Sequence, residues 1–86
     1  MIVRLTKRAE KDLAGMDKYI AKELVDFLEN HVSALEDPRS EGKALSGRWR
    51  GYWRYSFGKY RFICEIVDKE ITIVVIKIGL RDSVYK

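Results

Sequence analysis

The sequence contains very few of the residues that build covalent or metal-bound frameworks. Its 86 residues include one cysteine, one histidine and one proline. The single Cys64 excludes an internal disulfide and favours a reducing compartment. One cysteine and one histidine also exclude a zinc site with Cys/His ligand spacing. We therefore expect neither a metal nor a small-molecule cofactor.

Long apolar runs are absent as well. The longest, from Ile71 to Ile78, is interrupted by Thr72 and Lys77, and it is far shorter than the ~20 residues that cross a bilayer. The N-terminal stretch MIVRLTKRAEKD has too short an apolar run for a signal peptide. These features predict a cytoplasmic protein with no membrane partner.

Size and composition favour a single globular domain spanning residues 1–86. Hydrophobic residues make up 47% of the chain and charged residues 35%, which is typical of a folded domain rather than a disordered one. A chain of this length buries only about 60–65% of its unfolded surface, so we expect one modest core.

Positive charge is concentrated in the second half of the chain. The net charge is +4, but residues 1–40 carry seven Lys/Arg against eight Asp/Glu, whereas residues 41–86 carry ten against five. The second half therefore has a net charge of +5. This asymmetry favours an anionic partner, either nucleic acid or an acidic protein. A basic face exposed to solvent is the simpler alternative.

The first half of the sequence has helical periodicity after a short strand at residues 2–5. Thr6 is placed to cap a first helix, and a break near Gly15 lets Asp17 cap a second one. We expect the second helix to end at Asp37-Pro38, because the residue before proline is pushed out of the α region. Residues 39–47 look like a loop.

The second half has β periodicity. Gly58-Lys59 predicts a type II′ hairpin turn, and Asp68-Lys69 predicts a second turn. The run ITIVVIKI at 71–78 predicts a central strand buried on both faces. The order β-α-α-β-β-β indicates an α+β domain, with the helical pair packed on a mainly antiparallel four-stranded sheet.

Residues 47–62, GRWRGYWRYSFGKYRF, hold five basic residues, seven aromatic residues and no acidic one. Counting outward from the turn separates them into two faces, because strand side chains alternate. One face carries Trp53, Tyr55, Phe57, Tyr60, Phe62 and Cys64. The other carries Tyr52, Arg54, Ser56, Arg61, Ile63 and Glu65. We expect the aromatic face to pack against the helices and the second face to bind an anion, although Glu65 could partly neutralise it.

The arginines on that second face limit the chemistry it can support. A guanidinium holds phosphate bidentately and stays charged, so it suits charge stabilisation and is a poor base. The face has no Ser/His/Asp set, no glycine-rich phosphate loop and no carboxylate pair. Composition and spacing alone lead no further than phosphate binding.

Three segments in order carry a family resemblance: KALSGRWRGYWRYSFGKYRFICEIVD, ITIVVIKI and GLRDSVYK. They contain a leucine-glycine turn before the hairpin, a glycine-x-tyrosine-arginine centred on Arg61, and glycine-x-arginine followed by valine-tyrosine. The sequence thus resembles the RelE toxins of the RelE/ParE superfamily of bacterial toxin–antitoxin systems. The resemblance covers essentially the whole chain.

The resemblance implies a ribosome-dependent endoribonuclease that cleaves mRNA in the A site and is inhibited by a cognate antitoxin. Metal-free attack by a 2′-hydroxyl would leave a cyclic phosphate and a 5′-hydroxyl. By position, Arg61 resembles the family's phosphate-stabilising arginine and Arg81 its arginine near the leaving group. Tyr85 resembles a tyrosine that stacks on a nucleotide or handles a proton, and Arg54 stands where many relatives have lysine.

The general base is unassigned, because the two lysines that some relatives have on the first hairpin strand are here Tyr52 and Arg54. The candidate bases are Tyr52, Lys43, Glu65 and Tyr85, with the ribosome or RNA as another source. The candidate RNA-binding residues are Lys43, Arg48, Trp49, Arg50, Tyr52 and Lys59. Their simpler roles are solvated loop arginines and a tryptophan that covers the core edge. Arg61 or Arg81 could instead pair with Glu65 or Asp82, and Tyr85 could merely pack.

Two other functions remain open at this point. A ParE-like toxin would share the fold and inhibit DNA gyrase without cleaving RNA, and the arginines at 54, 61 and 81 argue against it. A plain nucleic-acid-binding module would lose affinity gradually as basic residues are removed. His31 and Cys64 are expected to be structural.

Overall fold

In a computed structural model that describes all 86 residues, two helices pack on one face of a five-stranded sheet. The strands are β1 (Ile2–Leu5), β2 (Lys43–Ala44), β3 (Trp53–Phe57), β4 (Tyr60–Val67) and β5 (Thr72–Leu80). The helices are α1 (Lys7–Ala14) and α2 (Lys18–Asp26). The sheet order is β1-β5-β4-β3-β2, with β1 parallel to β5 and the other pairs antiparallel. The predicted α+β class is confirmed.

Both helices begin at the predicted capping residues. The Thr6 hydroxyl accepts a hydrogen bond from the Ala9 amide at 3.1 Å and donates to the Ile76 carbonyl, which joins the start of α1 to β5. The Asp17 carboxylate accepts from the first free amides of α2. Neither helix is long and apolar enough to span a bilayer.

The second helix ends earlier than predicted. It continues beyond α2 as a π-helical turn at Phe27–Val32 and stops at Ser33, before Asp37-Pro38. The Met1 ammonium donates to the Ser33 carbonyl at 2.6 Å, and the Ser33 hydroxyl donates to the Glu29 carbonyl. These contacts satisfy carbonyls that a longer helix would have used.

A fifth strand, β2, lies within the stretch predicted as a loop. Lys43 pairs with Arg54 and Ala44 with Trp53 at the edge of the sheet. The Trp53 indole donates to the Glu41 carbonyl at 2.8 Å, which holds the approach to this strand. Two paired residues are too few to show an alternating pattern.

The hairpin has the predicted register, from Phe57 opposite Tyr60 to Trp53 opposite Cys64. Its aromatic face packs under the helices, where Tyr55, Phe62 and Cys64 are fully buried. Strand β5 is interior, as predicted, and most of its residues are buried.

His31 lies outside the buried core. Its side chain is half exposed and bonds to the Glu41 carboxylate at 2.8 Å. Its ring stacks on Phe27, with 5.2 Å between the ring centroids. The residue therefore links the second helix to the segment before β2, away from the core.

Tyr55 provides a test of how the segment after the second helix is held. Its buried hydroxyl donates to the Pro38 carbonyl. We expect Tyr55→Phe to lower the free energy of unfolding by about 1–3 kcal/mol, because a buried acceptor loses its partner. Denaturant unfolding measures this, with Tyr19→Phe on the exposed surface as control. Equal effects of the two changes would contradict the assignment.

Cys64 makes stability depend on pH in the alkaline range. Burial raises the pKa of its thiol well above the ordinary value, so the thiolate forms only in the unfolded chain, where the thiol titrates near ~8.5. The unfolded state then binds fewer protons than the folded state, and stability falls as pH rises. We expect the wild type to lose about 1 kcal/mol relative to Cys64→Ala between pH ~8 and ~9.5, measured by urea unfolding. Parallel pH curves for the two proteins would contradict this.

Candidate functional site

The sheet face opposite the helices, called here the polar face, carries a row of paired residues that crosses four strands. Lys43 on β2 pairs with Arg54 on β3, Arg54 with Ile63 on β4, and Ile63 with Lys77 on β5. Strand alternation directs these side chains to one side of the sheet. The row therefore holds three cations around one fully buried isoleucine.

A cleft of about 380 Å³ opens at the β2 end of this row. It is lined by Lys43, Ala44, Leu45, Ser46, Trp49, Arg54 and Tyr85. Arg54 Nη1 lies 3.4 Å from the Tyr85 hydroxyl, and the Trp49 indole donates to the Tyr85 carbonyl at 3.2 Å. The cleft thus combines two cationic side chains with two aromatic ones.

The C-terminal segment 81–86 folds back over the polar face and forms one wall of the cleft. Val84 is fully buried, and its side chain lies close against Gly79, where a side chain would crowd it. The Lys77 ammonium donates to the Lys86 carbonyl. Together with the contact from Trp49, these interactions hold Tyr85 beside Arg54.

Arg61 is oriented by the hairpin turn. Its Nη1 donates to the carbonyls of Gly58 and Tyr60, at 2.9 Å each. The Nε atoms of both Arg61 and Arg54 are buried and have no hydrogen-bond partner. Arg61 pairs with Ser56, two residues along β3 from Arg54, so the two backbones lie about 7–8 Å apart on the polar face. Arg61 does not pair with Glu65.

Arg81 belongs to the hairpin-tip end of the face rather than to the cleft. Its amide donates to the Lys59 carbonyl at 2.9 Å, which fixes the backbone beside the turn. Its side chain is mostly exposed, and Nε lies 3.5 Å from the Asp82 carboxylate. An exposed pair of this kind holds the guanidinium weakly, so the side chain can reach a ligand at the tip.

The remaining predicted residues differ in where they lie relative to the cleft. Lys43 and Trp49 line the cleft, and the Arg48 guanidinium lies 5.8 Å from the centre of the Trp49 ring. Arg50 and Lys59 are exposed away from the cleft. Tyr52 meets Trp49 edge to face at 5.6 Å but lines an adjacent cavity.

Lys77 is a feature of the polar face that the sequence analysis did not single out. It is nine-tenths buried, and its ammonium lies 5.9 Å from the centre of the Trp49 ring. Burial lowers its pKa, and the charges of Arg8 and Arg48 lower it further, against the opposing effect of Asp12. The signal was a lysine within a run of β-branched residues expected to be buried on both faces.

The chemistry available at this face is binding and stabilisation of anionic groups. Guanidinium groups with open N–H donors match phosphate geometry. No group of three or more His, Cys, Asp or Glu side chains is placed to hold a metal ion. Lys43 and Tyr85 are the only side chains lining the cleft, besides Arg54, that carry an ionisable group.

Comparison with a family model gives one match over nearly the whole chain. The model describes the ParE toxin of type II toxin–antitoxin systems and matches residues 3–85. Among curated proteins, Toxin RelG of Mycobacterium tuberculosis is 29% identical over 84 residues, covering 98% of this chain and 94% of RelG.

Solved structures share the fold. The RelBE2 toxin–antitoxin complex of Mycobacterium tuberculosis contains a chain with a TM-score of 0.83 and 29% identity, covering 93% of this chain and 96% of that one. The isolated RelE toxin of E. coli gives a TM-score of 0.70 at 22% identity, covering 92% of this chain and 82% of that one. At that identity the second likeness concerns the fold alone.

Gly42 provides a test of how β2 and the cleft are held in place. It has a positive φ of 86°, and an added Cβ would overlap the Arg54 carbonyl. We expect Gly42→Ala to destabilise the fold by about 2–5 kcal/mol, from left-handed strain plus overpacking. Gly47→Ala is the matched control, because Gly47 also has a positive φ but open space around it. Unfolding curves that coincide for the two variants would contradict this close approach.

Proposed function

The chain belongs to the ParE toxin family of the RelE/ParE superfamily, whose members are toxins of type II toxin–antitoxin systems, and we propose that it is a ribosome-dependent endoribonuclease. Its substrate would be mRNA in the ribosomal A site, and cleavage would inhibit translation. The likeness to RelG and to the RelBE2 toxin along almost the whole chain supports the RelE branch.

The observation that carries this proposal is the pair of buried, unpartnered Nε donors on Arg54 and Arg61. A buried donor without an acceptor costs roughly 1–3 kcal/mol, and more on a charged group. Both side chains lie on the polar face, and a change of rotamer would present each Nε to a phosphate oxygen. A binding site for a phosphodiester accounts for an arrangement that is otherwise unfavourable.

The proposed reaction is a metal-free transesterification. The 2′-hydroxyl loses its proton to a base and its oxygen bonds to the adjacent phosphorus. The bond from phosphorus to the 5′-oxygen breaks, and that oxygen takes up a proton, which leaves a cyclic phosphate and a 5′-hydroxyl. Arg54 and Arg61 would stabilise the added charge on the phosphate, and Arg81 would act near the leaving oxygen.

The four candidate bases differ in whether they line the cleft. Lys43 and Tyr85 line the cleft beside Arg54, whereas Tyr52 lines another cavity and Glu65 is exposed further along β4. We therefore favour Lys43 or Tyr85 as the proton acceptor, in the reactive complex. Tyr85 would otherwise contact a nucleotide, since it presents its ring and hydroxyl to the same space.

The remaining predicted residues would bind RNA around the reacting phosphate. Arg48 and Arg50 on the segment before β3, and Lys59 at the hairpin tip, would contact mRNA or ribosomal RNA phosphates. Trp49 would stack on a base. We also propose a cognate antitoxin partner, because the RelBE2 and E. coli RelBE chains of this fold are found in toxin–antitoxin complexes.

A second candidate function follows from the matched family model, whose description names ParE rather than RelE. A ParE-like toxin would inhibit DNA gyrase and leave mRNA intact. That function gives no role to the two arginines whose Nε atoms lie unpartnered on the polar face. We therefore place it second.

Arg61→Ala tests the leading function. In a purified translation system, with cuts mapped by primer extension, we expect wild-type protein to cleave mRNA only when ribosomes are present. The variant should be slower by about 10²–10³-fold, the usual loss when one charge-stabilising donor is removed.

Arg39→Ala is the matched control, since that guanidinium pairs with Asp68 on the exposed surface and does not belong to the polar face. It should cleave at the wild-type rate. Intact mRNA together with blocked DNA supercoiling would contradict the nuclease and favour the gyrase function.

A further inference from the structure

A second cluster of cations lies at the margin of the polar face, where α1 meets the edge of β5, and outside the lining of the cleft. It consists of Arg8 on α1, Arg48 before β3 and Lys77 on β5, three positions far apart in the sequence. The Trp49 ring connects two of them to the cleft, because Arg48 lies 5.8 Å and Lys77 5.9 Å from its centre while Trp49 itself lines the cleft.

The cluster is short of negative charge. Asp12 is the one acidic side chain among the charged groups that affect Lys77, and its two oxygens are already engaged. One accepts from Arg8 Nε at 3.1 Å and the other from the Ile78 amide at 2.9 Å. Asp12 therefore offsets little of the positive charge around Lys77, and each of Arg8 and Arg48 disfavours the charge on Lys77.

Lys77 is the least satisfied member of the cluster. Its ammonium carries three N–H donors, and the structure gives it one acceptor, the Lys86 carbonyl. The residue as a whole is nine-tenths buried, which limits the room for water to supply the other acceptors. A bound anion would provide both acceptors and the missing countercharge.

We propose that Arg8, Arg48 and Lys77 form a second anion-binding site, which holds a backbone phosphate of RNA next to the nucleotide in the cleft. This inference rests on the proposed function, since it extends the same RNA along the polar face. Lys77 stands two strands from Arg54 in the paired row, roughly 10 Å at the usual strand spacing. The site would set which stretch of RNA is aligned with the cleft.

The aromatic ring within the cluster favours RNA over an acidic protein segment. Nucleic acids present bases and phosphates alternately, and sites for single strands combine stacking rings with cations that follow the backbone. Trp49 supplies a ring close to two cations, and it borders the cleft in which a base would be held. An acidic peptide would use the charges alone.

Arg8→Gln is the most informative variant, because Arg8 is exposed and belongs to no residue set assigned above. Its ion pair with Asp12 is partly exposed, so its loss should change stability little, and a thermal melt checks this. Lys11→Gln on the same helix is the matched control, since it removes the same charge from the side of α1 that Lys11 shares with Lys7, Glu10 and Ala14.

The measurement is the binding of a labelled 2′-O-methyl oligoribonucleotide, which lacks the attacking hydroxyl, by fluorescence anisotropy from about 50 to about 300 mM KCl. We expect Arg8→Gln to weaken binding about three- to tenfold at the lowest salt and to reduce the slope of log K against log salt by about 0.7. Lys11→Gln should leave both unchanged.

The other outcomes distinguish failure of the second anion-binding site from failure of the proposed function. Equal effects of Arg8→Gln and Lys11→Gln overturn the second site, as does a wild-type protein that does not bind the oligonucleotide. Cleavage on ribosomes that persists in either case leaves the proposed function standing. The expected slopes without any cleavage uphold the site and overturn the nuclease. Tighter, Arg8-dependent binding of poly-L-glutamate than of RNA would assign the cluster to an acidic protein.

Discussion

The β3–β4 hairpin depends on its two-residue turn at Gly58-Lys59, and the site depends on the hairpin. Gly58 has a positive φ, which a tight turn of this kind requires at its first central residue. With the turn in place, Tyr55 and Phe62 face the helices while Arg54 and Arg61 face the opposite side. A slip of one residue would exchange the two faces, burying guanidinium groups and exposing the aromatic core.

On the polar face, one short segment both buries an apolar side chain and helps to form the cleft. Segment 81–86 places the fully buried Val84 against Gly79. The same segment brings Tyr85 to Arg54, with the Trp49 indole holding its backbone. Packing energy from the apolar contacts therefore positions polar groups that would gain little from pairing with each other.

Features that arise from neighbouring residues could be predicted from the sequence. The Thr6 and Asp17 caps and the hairpin register depend on a few adjacent positions, and each was found as expected. The contact between Trp49 and Tyr85 joins positions 36 residues apart, and Met1 bonds to Ser33, where the second helix ends, across 32 residues. Contacts between such distant positions leave no pattern in neighbouring residues of the sequence. The way in which the cleft is assembled therefore could not be predicted.

The unpartnered Nε atoms of Arg54 and Arg61 also affect the whole fold. The sheet holds these two donors in place without an acceptor. The unliganded chain is therefore less stable than the same fold would be with apolar residues at the two positions. A ligand that accepts hydrogen bonds from these donors would raise the free energy of unfolding when it binds. Ligand binding at the polar face is then linked to unfolding of the domain. A saturating ligand would therefore slow hydrogen exchange of backbone amides in the helices, which the ligand does not touch.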